Sequence, residues 1–433
     1  MMSGRSFQNY LSLTMIQAAN AVLPLIIFPI VLSRFGSEEY TRIVVSEAIL
    51  LLVVAAVLYS FDLVGVRAIV QSDHRTDKTW LSALFFDVLI TRVLIFCAVM
   101  AVLLPGIWAV RPALLPYALG WVLVPLSYAI QPNWFYQAHE RNLPLAVVSF
   151  VSRAFLLIYV VLMMPDTLGA VWIPAIIGAA FISGAVASLM YCIVAYGLVF
   201  TRPPLVRIMH YLWTGKEIFL SNFSVSFYRD SNVLIMEMLS LRSELIALYS
   251  LAEKFIKVVQ AACRPLNQLF YPRVMLVAKS VAHPSVAYLS ALVPLVWPQL
   301  AALTCIWMLI VAGAVIVFDP MLLGLTPDAY RTLLGALMGM GIATYFGVCN
   351  FMLGAAGLNA VGYNKTFLSL VLGTGILSLT VNVILISVLG FWGAVIAFGM
   401  SEGILLCLIL GTFLNNGWFG KLARLMRRDG LSR

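Results

Sequence analysis

Charge is what this 433-residue sequence has least of: Asp, Glu, Lys and Arg make up 10% of it, against roughly 25% in an ordinary soluble domain. So few charges cannot cover a water-facing globule of this length, and a soluble fold is excluded. Histidine is equally scarce, with four residues and none paired at metal-ligand spacing. The six cysteines lie in or beside apolar runs without a CxxC pair, so neither a disulfide framework nor a metal centre is indicated. Long polar stretches are missing too, which leaves a soluble catalytic domain nowhere to sit. The segment "GLNAVGYNKT" fails as a phosphate loop, because Lys365 and Thr366 do not follow its second glycine directly.

What the sequence does contain is hydrocarbon. Hydrophobic residues make up 62%, the mean hydropathy is +1.00, and apolar runs of about 20 residues recur, the length a helix needs to cross a bilayer. Barrel strands would instead read as alternating segments of ~10 residues. The predicted fold is an all-α membrane protein with twelve transmembrane helices near 10–33, 42–66, 80–104, 112–131, 143–163, 168–199, 216–240, 245–264, 286–318, 332–357, 366–388 and 390–414. The run Leu11 to Leu32 exceeds a signal-peptide core and is expected to be a retained first span.

The net charge of +9 is scattered over short loops and the C-terminal tail, which is a topological signal and not a nucleic-acid patch. With both termini in the cytoplasm, sixteen of the 27 Lys and Arg residues fall on that side and five outside, so the positive-inside rule predicts that orientation. A weak internal repeat aligns "LGAVWIPAIIGAAFISG" from Leu168 with "LGFWGAVIAFGMSEG" from Leu389 at an offset of 221, and the polar exits ending at Asn142 and Asn364 at 222. It predicts two pseudo-symmetric six-helix lobes, residues 1–205 and 206–433, entering the membrane in the same sense around a central cavity.

The remaining six cations, Arg92, Arg153, Arg229, Lys254, Lys257 and Arg264, lie inside or at the edge of spans. In "SNFSVSFYRDSNVLIMEMLS", a helix running from Ser221 to Ser240 would put Asn222, Ser226, Arg229, Asp230, Val233, Glu237 and Ser240 on one face. The next span repeats the pattern with Ser250, Glu253, Lys257, Gln260 and Arg264. A charge at the bilayer centre costs about 2.5 to 3.5 kcal/mol on insertion scales, so these faces must meet protein or water. Any one pair reads equally well as a lock between helices. Cations drawn from four spans point further, to a multiply charged anion such as a diphosphate, which the arginine fork suits.

Carboxylates also enter the spans. Asp230 and Glu253 are expected to hold the cations in place. Asp62 and Glu47, which share a span, and Glu402, which has no obvious basic neighbour in sequence, are candidates for a titrating group. No cofactor is called for, and coupling to H⁺ or Na⁺ is left open. "IQPNWFYQAHERN" reads as an aromatic belt followed by a basic loop, with sugar stacking as a secondary reading and no chemical role for His139. Gly335 with Gly339, and Gly399 with Gly403, are spaced for close helix packing.

Together these residues resemble a known family. "NAVLPLIIFPIVLSRFGSEEY", "SFDLVGVRAI", "PNWFYQAHERN" and above all "YRDSNVLIMEMLSLRSELIALYSLAEKFIKVV" are similar to the Wzx-type O-antigen flippases, the polysaccharide transport branch of the multidrug/oligosaccharidyl-lipid/polysaccharide exporter (MOP) superfamily. Asp230, Tyr249, Ser250, Ala252 and Lys254 occupy its most specific positions, while Asp62 stands where relatives usually carry glycine. The resemblance implies a transporter and not an enzyme, in the bacterial inner membrane. It would turn an undecaprenyl-pyrophosphate-linked oligosaccharide from the cytoplasmic to the periplasmic leaflet by alternating access, alongside membrane lipid and with an O-antigen polymerase and chain-length regulator as further partners. A cation-coupled multidrug antiporter of the same superfamily is the alternative, disfavoured by the six cations. A polymerase, a more distant one, would be expected to carry a large periplasmic loop.

Overall fold

Backbone in hydrocarbon must satisfy its own hydrogen bonds, and the apolar runs fold accordingly as helices. The structure, a computed structural model, describes residues 4–70, 72, 77–165, 167–279, 281, 283–316 and 325–415. It divides into two units, Met1–Ser226 and Phe227–Arg433. The first holds α1 (Gly4–Leu58), α2 (Phe61–Val70), α3 (Lys78–Val110), α4 (Leu115–Trp121), α5 (Leu123–Ile130), α6 (Asn133–Ala138), α7 (Leu143–Ile158), α8 (Ile173–Tyr196) and most of α9 (Leu205–Asp230). The second holds the end of α9, α10 (Asn232–Met238), α11 (Ser243–Ala278), α12 (Val286–Ile316), α13 (Pro327–Cys349), α14 (Asn364–Leu389) and α15 (Phe391–Leu414), with a π-helical stretch Asn350–Leu358 between α13 and α14.

Among the described residues nine helical segments are long and apolar enough to cross a membrane, where the sequence predicts twelve spans. Three local features account for the difference. α1 continues through the expected first loop, kinking at Gly36, whose φ of +77° only glycine adopts without strain. α9 and α11 are 26 and 36 residues long but carry the charged stripes, which keeps them out of the apolar set. The face predicted over Ser221 to Ser240 is also interrupted, because α9 ends at Asp230 and α10 starts at Asn232.

The aromatic belt is corrected by the structure. Trp134, Phe135 and Tyr136 are buried on α6 and pack with Phe61, Phe85, Phe86 and Leu145 in the core of the first unit, so they form neither an interfacial belt nor a sugar-stacking surface. The reason is Gly65 on α2, which lets Trp134 come so close that an added Cβ would lie 2.5 Å from its ring. Gly65→Ala is therefore expected to destabilise the protein by about 1 to 3 kcal/mol, read as a lower thermal midpoint of the detergent-solubilised chain; an unchanged midpoint would mean that Trp134 moves aside freely.

The paired glycines pack as expected, with one exception. A Cβ at Gly335 would meet Trp392 at 2.8 Å, one at Gly339 would meet Val395 at 2.6 Å and one at Gly403 would meet Phe346 at 3.3 Å, while Gly399 faces open space. Three of the four thus set the approach of α13 to α15.

Candidate functional site

Five charged residues of the second unit, Arg229, Asp230, Glu253, Lys257 and Glu402, collect where α9 ends. Arg229 and Asp230 are neighbours in sequence but turn to different helices. Arg229 Nε donates to Glu402 Oε1 of α15 at 2.7 Å, and its Nη2 pairs with the same oxygen. Glu402 Oε2 accepts from Asn350 Nδ2 at 2.8 Å, and that amide also reaches the Glu402 carbonyl at 3.0 Å. Asn350 opens the π-helical stretch, a widened turn that re-aims side chains and often marks functional positions.

Asp230 faces α11 instead. Lys257 Nζ lies 2.9 Å from Asp230 Oδ1 and 2.9 Å from Glu253 Oε1, the latter a charge contact without a hydrogen bond's alignment. Glu253 and Lys257 are one turn apart on α11, the spacing that brings side chains together. The pairs share an asymmetry: Arg229 and Lys257 are 37% and 42% exposed, whereas Glu402, Glu253 and Asp230 are 2%, 7% and 20% exposed. In each of these pairs the cation is therefore the more accessible partner.

A neutral chain lies beside these pairs. Asn382 Nδ2 on α14 donates to Asn232 Oδ1 on α10 at 2.9 Å, Asn232 Nδ2 donates to the Tyr249 hydroxyl on α11 at 2.8 Å, and Ser401 Oγ on α15 donates to Asn382 Oδ1 at 3.5 Å. All four residues are buried. Buried amides in low dielectric are stable only when their partners are fixed, so this chain holds four helices in register around the ion pairs.

Of the residues singled out in the sequence, Arg229, Asp230, Glu253 and Lys257 come together here. Lys254 is buried on α11 one residue from Glu253, and the side chain of Arg264 lies outside the described residues. Glu402, which in the sequence has no obvious basic neighbour, is the partner of Arg229. The three asparagines carry one signal in the sequence, an amide inside an apolar span, although charge alone does not pick them out.

The first unit places Arg92 and Arg153 differently. Arg92 is buried, its Nη2 donates to Asp62 Oδ1 at 2.6 Å, and its guanidinium lies 5.7 Å from the Phe61 ring. Asp62, 41% exposed, is thus the counter-ion of Arg92 and the more accessible partner, the reverse of the order at the end of α9. Arg153 is 5% exposed and has no carboxylate partner among the described residues; its Nη1 donates to the Ser149 carbonyl at 3.0 Å, and the guanidinium lies 4.3 Å from the Phe181 ring. Ring faces of this kind attract a desolvated cation. Glu47 is half-buried on α1.

Comparison with known proteins agrees with this architecture. A 285-residue stretch is 25% identical to the "Putative O-antigen transporter" of Escherichia coli (strain K12), covering 62% of this chain and 64% of that protein, so the match spans just under two thirds of the relative's length. The fold matches a multidrug resistance MATE family transporter of the MOP superfamily in an inward-facing conformation, with a TM-score of 0.63 at 13% identity over 98% of this chain and 100% of that one. It also matches the lipid II flippase MurJ in an inward closed conformation, with a TM-score of 0.65 at 13% identity over 92% and 87% of the two chains. The all-helical fold is that of the MOP transporters. Residues 6–277 match the model of the polysaccharide biosynthesis protein family, and the chain is a member of that family.

Proposed function

We propose that this protein is a flippase that carries an undecaprenyl-pyrophosphate-linked oligosaccharide, an O-antigen repeat unit, from the cytoplasmic to the periplasmic leaflet of a bacterial inner membrane by alternating access. Twelve spans in two six-helix lobes, residues 1–205 and 206–433, with both termini cytoplasmic, complete this reading, which the distribution of Lys and Arg supports. Family membership and the name of the E. coli relative support the cargo class.

The observation that carries the reading is the asymmetry of the charge pairs. With the cations outermost, a diphosphate approaches Arg229 and Lys257 on their open sides and shares them with Glu402, Asp230 and Glu253 behind. Sharing keeps binding weak enough for release, as transport requires. Arg153, Arg92, Lys254 and Arg264 are the further cations of the pathway, and Asp62 and Glu47 complete its carboxylates. The same asymmetry disfavours a cationic drug as cargo at this site, since the more accessible partner of each of its pairs is positive.

The test is the double substitution Arg229→Ala/Lys257→Ala in cells lacking the native copy. O-antigen display is expected to fall about tenfold or more, since each charge-assisted contact is worth ~1.5 kcal/mol or more. Normal display at a normal protein level would sink the assignment.

A further inference from the structure

One further buried charge, far in sequence from the site above, is used by none of that chemistry. Asp87 lies nine residues into α3, about 14 Å along its axis, and is 1% exposed. Neither of its carboxylate oxygens accepts a hydrogen bond from a described residue. Its charge is met by Arg207 Nε at 3.3 Å, from the first turn of α9, and Arg207 is itself 44% exposed. Among the described residues, Tyr211, one turn further along α9, is the other titratable side chain beside it. A second carboxylate, which a divalent cation site would need, is not among these neighbours.

We propose that Asp87 is a proton-binding site, and that the proton it takes releases the basic first turns of α9 from α3. A carboxylate with no hydrogen-bond donor keeps its charge only while a cation faces it, because an isolated buried charge costs several kcal/mol. Arg207, half in water, can leave. When it does, a proton from the aqueous side adds to an Asp87 oxygen, and Arg207 carries its positive charge into solvent. The carboxyl group is then neutral and no longer holds the helix.

Among the described residues, the other attachments of this segment are neutral. The Tyr59 hydroxyl donates to the Leu212 carbonyl at 2.7 Å, and the Tyr59 ring stacks on Phe219 at 4.4 Å. The Val199 amide donates to Ser82 Oγ at 3.1 Å, and Phe200 packs edge-on against Phe86 at 5.2 Å. The Asp87–Arg207 pair is therefore the contact through which pH acts on the segment. Tyr59 also sits at φ +50°, in the left-handed region that a bulky residue rarely adopts, so the break between α1 and α2 where α9 rests is already strained.

Hydrogen–deuterium exchange of the full chain in lipid nanodiscs, corrected for the intrinsic pH dependence of amide exchange, tests this at residues 205–212. In the wild type, protection is expected to fall about tenfold or more as the pH is lowered, the behaviour of a local opening that a proton drives. Asp87→Asn is expected to exchange fast at every pH with no response left, and Arg207→Gln to do the same. His210→Gln is expected to respond like the wild type, which separates Asp87 from the imidazole on the same helix. Wild-type protection that ignores pH, a response that survives in Asp87→Asn, or one that disappears in His210→Gln would each overturn the proposal. If Asp87→Asn does not fold, Arg207→Gln and the wild-type profile decide.

Discussion

Arg229→Ala is expected to destabilise the protein by about 3 kcal/mol, the lower end of the range for removing one partner of a buried pair, because Arg229 is itself partly exposed. The loss falls on Glu402, which among the described residues keeps only the Asn350 amide once the guanidinium is gone. Replacing both residues, as Arg229→Met/Glu402→Met, is expected to recover most of that stability, since an apolar pair of similar volume needs no counter-charge. On the proposed function, O-antigen display should stay lost in the double variant, because the accessible cation is still missing. Chemical unfolding in detergent and O-antigen display, measured on the same variants, separate the two effects. Normal display from the Met/Met protein would reduce Arg229 to a structural residue, and an Arg229→Ala protein as stable as the wild type would show that Glu402 needs no partner.

Gly393→Ala is expected to be the most damaging small substitution, about 3 kcal/mol or more, beyond the usual cost of overpacking. A Cβ there would lie 2.0 Å from the Leu385 carbonyl oxygen and 2.5 Å from its carbon. Both atoms are backbone, so no side-chain rotation relieves the clash. The reversal between α14 and α15 is closed just before it by Gly390 at φ +56° and ψ −127°, a conformation nearly confined to glycine. Gly373→Ala on α14, which would meet nothing within 4 Å, is the control and should be neutral or slightly stabilising. Folded yield and thermal midpoint compare the two; equal behaviour would mean that the turn can open.

How far the sequence could be read depends on the range of each interaction. Apolar runs give helices because the requirement is local, and the Glu253–Lys257 contact is visible as a one-turn spacing. The pairing of Arg229 with Glu402 spans 173 residues, and nothing in either neighbourhood encodes it. Asp230 was expected beside Arg229 because the two are adjacent, yet adjacent side chains on a helix point about 100° apart, which sends one to α15 and the other to α11. The aromatic cluster at 134–136 was read by composition as a belt, and only the position of Gly65 against Trp134 decides that it is core. The Asp87–Arg207 contact was hidden for the same reason as the Glu402 pair: its two halves lie on different helices.

The span between Arg229 and Glu402 also sets a schedule for making the protein. At about 5 to 20 residues per second, the ribosome needs roughly 9 to 35 s to add the 173 residues that separate them. Throughout that interval the end of α9 carries a guanidinium whose counter-charge has not been synthesised. Such a helix cannot settle in lipid alone, so it must wait at the translocon or at the membrane surface until α15 emerges. Biogenesis of the second unit is therefore a late, collective event, and truncation anywhere before Glu402 should leave α9 exposed to proteolysis, not inserted.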